Sequence, residues 1–214
     1  MIVAAHQTML APQGAPLPYD KAVEYIEING DGAYIDTGVV PSSNPSAMIR
    51  AQYLGTGQTS AAAMPLFGVR NYAQPYKMFA LWVQSSTLKL AANYNSRDTG
   101  WQTQTTNTTA FHDFVVSSTG ATYDGTQFVS YSETLAGTGI SCFVGAVRQA
   151  NASDLVITRQ VKLRIASFAL YNGGVLAFDG IAVRKGTTGY LYDKVSKQLF
   201  GNAGTGAFVL GPDK

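Results

Sequence analysis

Side chains able to make or break covalent bonds are few in this sequence: two histidines, one cysteine and thirteen carboxylates among 214 residues. Glycoside hydrolysis needs two carboxyl groups across one bond, one protonating the leaving oxygen and one attacking or activating water. The densest acidic group is Glu24, Glu27 and Asp31. It falls in a run that reads as a strand and its turn, where a structural or solvated role is expected; Glu133 stands alone. Ser-His-Asp chemistry would have to use His6 or His112, and neither lies near a G-x-S-x-G turn. His112-Asp113 sits inside the apolar run FHDFVV, the ordinary place of an edge- or loop-facing polar pair. The chain reads as non-enzymatic.

Metal and thiol chemistry are equally thin. The single Cys142 excludes an intrachain disulfide and paired thiolate ligands. Within the apolar run 140–147 it is expected to be a buried, inert thiol. Two histidines without a supporting ligand pattern do not make a zinc site. Calcium asks only for one or two Asp side chains and some carbonyls, so Asp31, Asp98 and Asp154 are the loop positions where it would be sought. No cofactor is expected and no ligand set is assigned.

Recognition chemistry has a better candidate. Binding a sugar requires aromatic rings for its apolar faces and Asn, Asp or Arg for its hydroxyls. The loop NYNSRDTGW gathers Tyr94, Asn95, Arg97, Asp98 and Trp101, and Tyr72 and Tyr76 in RNYAQPY would join them if the two loops converge. The competing reading makes Tyr94 and Trp101 partly buried loop anchors, and places Trp82, in MFALWV, in the core or an interface.

These residues must be positioned by strands. From Lys21 onward, short runs rich in Val, Ile, Phe, Tyr and Thr are cut by Gly, Asn, Asp and Ser. Strands are expected over 23–28, 33–36, 47–54, 65–69, 77–84, 88–93, 111–117, 121–123, 127–131, 141–147, 162–171, 175–184, 190–192 and 198–200. Ile49, Ala51 and Tyr53 alternate with Met48, Arg50 and Gln52, and Leu163 and Ile165 with Lys162 and Arg164, so each strand has one wet face. MFALWV is apolar on both faces. Its outer side is therefore expected to be covered by a loop, by the N-terminal arm or by another subunit, which is the only hint of a homo-oligomer. Asp124-Gly125 and Asn172-Gly173-Gly174 supply hairpin turns. No helical period is sustained over eleven residues. The expected fold is all-β, a two-sheet antiparallel β-sandwich of the jelly-roll kind, with its last strand tucked back near its start.

Charge and punctuation bound the partners. Only 13% of residues are charged and the net charge is +2, which gives no footprint for a phosphate backbone. Arg148, Arg159, Lys162 and Arg164 are the nearest thing to a basic group. No window has the ~20 apolar residues that span a bilayer as a helix. The first charged residue is Asp20, and five of the eight prolines precede residue 46. Residues 1–20 are expected to form an extended arm preceding a domain over 21–214. Without a positive n-region the arm does not read as a signal peptide, and synthesis as a soluble cytoplasmic protein is expected.

Two segments, VEYIEINGDGAYIDTGVVPS (23–42) and GYLYDKVSKQLFGNAGTGAFVLGP (189–212), resemble the opening and closing signatures of concanavalin A-like (laminin G-like) modules. Such modules recur in phage and prophage structural proteins and in gut-bacterial surface proteins. The match is closest at Glu24-Tyr25-Ile26-Glu27, Tyr34-Ile35-Asp36-Thr37-Gly38, Tyr192-Asp193 and Asn202-Ala203-Gly204-Thr205-Gly206. The resemblance implies a jelly roll of two curved sheets with adjacent first and last strands, used for glycan or protein binding or for particle decoration. It further implies an arm that attaches the module to a larger assembly. A virion structural protein (capsid, fibre or tail), made in the host cytoplasm, is the first functional expectation. A carbohydrate-binding module of a bacterial surface protein or phage adhesin is the alternative. Members of this family that cleave glycans carry E-x-D-x-x-E on one strand; that spacing is absent here, which disfavours a glycoside hydrolase.

Overall fold

β-Branched and aromatic runs, interrupted by residues that tolerate positive φ, favour extended segments joined by tight turns. A computed structural model describes residues 16–57, 62–153 and 155–214, and every regular element among them is a strand. The first eight are β1 (Lys21–Ala22), β2 (Ile26–Asn29), β3 (Ile35–Asp36), β4 (Ser46–Thr56), β5 (Ala63–Asn71), β6 (Lys77–Gln84), β7 (Leu90–Asn95) and β8 (Arg97–Asp98). The middle of the chain gives β9 (His112–Ser117), β10 (Gly120–Tyr123), β11 (Thr126–Ser130), β12 (Phe143–Val144), β13 (Val147–Ala150) and β14 (Val156–Ile157). Last come β15 (Val161–Asn172), β16 (Val175–Lys185), β17 (Thr188–Asp193), β18 (Gln198–Phe200) and β19 (Val209–Leu210).

These form two sheets packed as a sandwich. The larger runs β11-β10-β9-β4-β15-β16-β17-β18, with β1 on β16, β2 on β15 and β19 on β2. The smaller runs β14-β13-β5-β6-β7-β8, and β12 links β5 to β3. Every pairing is antiparallel except β13 on β5, which is parallel. Tight hairpins sit where turn residues announce them. Asp124 and Gly125 (φ 47° and 78°) join β10 to β11, and Gly173 and Gly174 (φ 57° and 80°) join β15 to β16. Positive φ at both central positions matches the right-handed twist of the strands they connect.

The alternation expected on β4 and β15 is seen: Ile49, Ala51, Tyr53, Leu163 and Ile165 are buried, while Met48 is 43% exposed. Gln52 is the exception on its wet face. It is buried because Nε2 donates to the Thr108 carbonyl (2.8 Å) and Oε1 accepts from Arg164 (3.3 Å). Between the sheets Phe67 of β5 meets Phe168 of β15 with ring centres 5.4 Å apart, and Phe79 and Phe178 extend this aromatic layer. Burying one such side chain contributes about 1.5–3 kcal/mol. Cys142 is fully buried, and desolvation, aided by nearby Asp36, pushes its thiol well above the ordinary range. That is the inert state expected of it.

The two ends of the domain lie together. Val209 and Leu210 pair with Glu27 and Ile26, and Val23 bridges Asp213. Asn202 Oδ1 accepts from the Tyr34 and Gly204 amides, and its Nδ2 donates to the Gly206 carbonyl. The Asp31 carboxylate accepts from the amides of Ala33 and Ala207, while Thr205 donates to the Asp31 carbonyl. At the N-terminal side Tyr19 packs on Tyr192 (5.0 Å), and Asp20 is bonded to Arg184 and Gly186. Attachment to the larger sheet thus begins by Tyr19, within the stretch expected to be an arm. Residues 1–15, with His6 and Pro12, lie outside the described residues.

Candidate functional site

The two-sided apolar strand β6 explains how the site is built. Phe79, Leu81 and Val83 point into the core, whereas Ala80 and Trp82 point outward and are buried as well. Their cover comes from this same chain. Val147 and Ile157 pack beside them, and the Arg70 guanidinium lies over the Trp82 ring at 4.4 Å, a cation–π contact. Arg70 starts on β5 and reaches Asn93 on β7, so its side chain crosses β6. The crossing is open because the outward row beneath it is Gly68 and Ala80, paired with Asn93. A Cβ at Gly68 would stand 2.4 Å from the Ala80 Cβ, so this floor has no room for a larger residue.

Asn93 organises the face. Its Oδ1 accepts from Trp82 Nε1 (2.7 Å) and from Arg70 Nε and Nη2 (3.2 and 2.5 Å). Arg70 Nη1 donates onward to the Tyr72 hydroxyl (3.3 Å), and Tyr72 meets Tyr76 edge-on at 5.7 Å. Asn93 is almost wholly buried, yet its Nδ2 has no partner among the described residues. Trp82, Arg70, Ala63, Ala91, Asp98, Gly100 and Trp101 line a cleft of about 140 Å³ over this face.

Trp101 is held there by the stretch after β8, which runs along β7. Thr99 N donates to Ala92 O, Gln102 N to Leu90 O and Leu90 N to Gln104 O. Anchors on both sides of Trp101 set the indole against the cleft while leaving it 38% exposed. Asp98 stands opposite Asn93 in the β7–β8 pair, and its Oδ1 accepts the Gly100 amide. No ion pair involves Arg70 or Asp98 among the described residues, so a donor fork and an acceptor of opposite charge line one small cleft.

The seven expected sugar-binding residues separate into groups. Asp98 and Trp101 line the cleft; Tyr72 joins it through Arg70; and Tyr76, 41% exposed, continues the aromatic row. Asn95 ends β7 in a positive-φ turn (54°) and donates to Glu133 at 3.4 Å. Arg97 is exposed but does not line the cleft. Tyr94 has to be corrected: it is fully buried, its hydroxyl donates to the Pro45 carbonyl (3.0 Å), and it packs on Phe79 and Tyr131. Alternation along β7 forces this, since Tyr94 and its neighbour Asn93 must face opposite sides. Arg70 and Asn93 are the residues missed. The available signal was the outward Trp82 of a strand with no wet face, which required something to cover it.

The other groups weighed for chemistry sit elsewhere. His112 is buried against Tyr123 with Nδ1 2.7 Å from the Asp124 carboxylate, and Asp113 pairs with Arg50 at 3.0 Å. Edge- or loop-facing therefore describes Asp113 and not His112, whose ring is drawn in by Tyr123 and the turn carboxylate. Glu27 pairs with Arg164 at 2.7 Å. Among the described residues no three His, Cys, Asp or Glu side chains are grouped to hold a metal ion; Asp154 lies outside them. Compared with known proteins, the chain matches no family model, and no curated protein matches it at a significant level.

Proposed function

We propose that this chain is a non-enzymatic carbohydrate-binding module of the kind displayed by phage adhesins and bacterial surface proteins, with its sugar site on the outer face of the smaller sheet. The observation that carries this reading is the cleft in which a half-exposed Trp101 faces the Arg70-capped Trp82, with Asp98 beside them. A pyranose presents an apolar face and a ring of hydroxyls; an indole, a guanidinium donor and a carboxylate acceptor meet both. Arg70 is already fixed by Asn93 and Tyr72, so little side-chain ordering is left to oppose binding.

The test is an array of neutral, acidic and amino polysaccharides probed with the wild-type chain and Trp101→Ala. Wild-type protein binds at least one of them. The variant keeps the fold and weakens binding by about 1–3 kcal/mol, on the order of 5- to 150-fold in Kd. Binding of no polysaccharide, or equal binding by the variant, refutes the reading.

A role as a jelly-roll decoration module of a phage or prophage particle is a second reading. It draws support from the edge where the described chain starts: Pro16, Leu17 and Pro18 lie against Tyr192 and Lys197, with Leu17 59% exposed. Removing residues 1–15 spares the Tyr19 and Asp20 contacts. The truncated chain is expected to fold and to be lost from particles. Normal incorporation of it refutes this second role.

A further inference from the structure

The cleft is one end of a longer surface. Arg70 touches Trp82 inside the cleft and Tyr72 outside it, and Tyr72 touches the exposed Tyr76. Trp101 stands beside Ala91, whose partner on β6 is Trp82; from Trp82 back to Tyr76 the chain spans six residues, roughly 20 Å at about 3.3 Å per strand residue. That is the length of several linked pyranose rings. Exposed rings therefore stand at both ends, Trp101 and Tyr76, while the middle is floored by Gly68 and Ala80 and bridged by Arg70. The charges lining the cleft cancel, one guanidinium against one carboxylate, neither committed to an ion pair among the described residues. A polyanion would meet Asp98 and a polycation Arg70; hydroxyl-bearing rings satisfy both.

We infer that this face takes an internal stretch of a neutral, unbranched polysaccharide, laid along β5 with one ring against Trp101 and another, several units away, against Tyr76. The inference rests on the carbohydrate-binding reading of the cleft. It assigns Tyr76 a separate subsite and makes Arg70 the link between the two.

The experiment is titration calorimetry on the full chain with gluco-, manno- and galacto-oligosaccharides of one to six rings, and with hyaluronan and chitosan as acidic and basic probes. At least one neutral series is expected to gain about tenfold or more in affinity between two and five rings, as a second contact is added to the first. Tyr76→Ala is expected to bring the long members down to the level of the short ones and leave the short ones unchanged. Trp101→Ala weakens every length. Equal affinity for one and six rings, an unaffected hexamer with Tyr76→Ala, or tighter binding of hyaluronan or chitosan overturns the extended neutral site while leaving a carbohydrate cleft standing. Binding of none of these probes, nor of any polysaccharide on the array, overturns both.

Discussion

Replacing Asn93 by leucine removes the one acceptor that holds Trp82 and Arg70 together, and the cost follows from burial. Trp82 is 3% exposed, so its Nε1–H, now bonded at 2.7 Å, is left dry and unpaired; such a group costs about 1–3 kcal/mol. Arg70 loses two bonds but is only partly buried, so water recovers most of that loss. The substitution also deletes the Asn93 Nδ2 donor that has no partner among the described residues, which returns part of the cost. The net expectation is a destabilisation of about 1–2 kcal/mol, or ~2–8 °C in Tm for a domain of this size. Asn93→Asp is the control. Its carboxylate keeps the same acceptors, removes the unpaired donor and sits beneath a guanidinium, so stability near that of the wild type is expected at neutral pH. The assay is urea unfolding followed by fluorescence in a Trp101→Phe background, where Trp82 is the remaining tryptophan. Asn93→Leu is expected to lower the midpoint and redden the native emission as Arg70 swings away. A leucine variant within about 0.5 kcal/mol of wild type and with unchanged emission refutes the argument that Asn93 builds this face.

Two further outcomes follow from buried groups outside the site. Asp193 closes the turn after β17, accepting from the Asp179, Val195 and Ser196 amides. Burial alone would raise its carboxyl, but these hydrogen bonds hold it below its ordinary 3.8. A depressed carboxylate contributes stability that is complete above the unfolded pKa and is lost as pH falls through the lower folded pKa. Asp193→Asn is therefore expected to cost about 1–3 kcal/mol at neutral pH, with the gap in urea midpoints narrowing as the pH falls below the ordinary carboxylate range; a gap independent of pH refutes it. Cys142, fully buried with its thiol pushed up, is expected to react with a thiol reagent only after unfolding, and prompt labelling of native protein would contradict its placement.

What was legible in the sequence, and what was not, divides along the range of the interactions. Strand alternation is a property of neighbouring residues, so the wet and dry sides of 47–54 and 162–171 could be read directly, as could turns that demand positive φ at Asp124-Gly125 and Gly173-Gly174. The two-sided strand 77–84 correctly demanded an outer cover. Its identity was invisible, because Arg70 and Asn93 come from strands on either side and meet only when register sets Gly68, Ala80 and Asn93 in one row. Tyr94 shows the limit in one residue. Local composition put it in a polar, sugar-like loop, while the pleat of β7 put its ring in the core beside Phe79. The sequence by itself determined an all-β chain, its hairpins and a short set of aromatic and charged residues suited to sugar recognition. Only the tertiary structure decided which of them share a face, because strand pairing across tens of residues, not spacing along the chain, sets the side to which each side chain points.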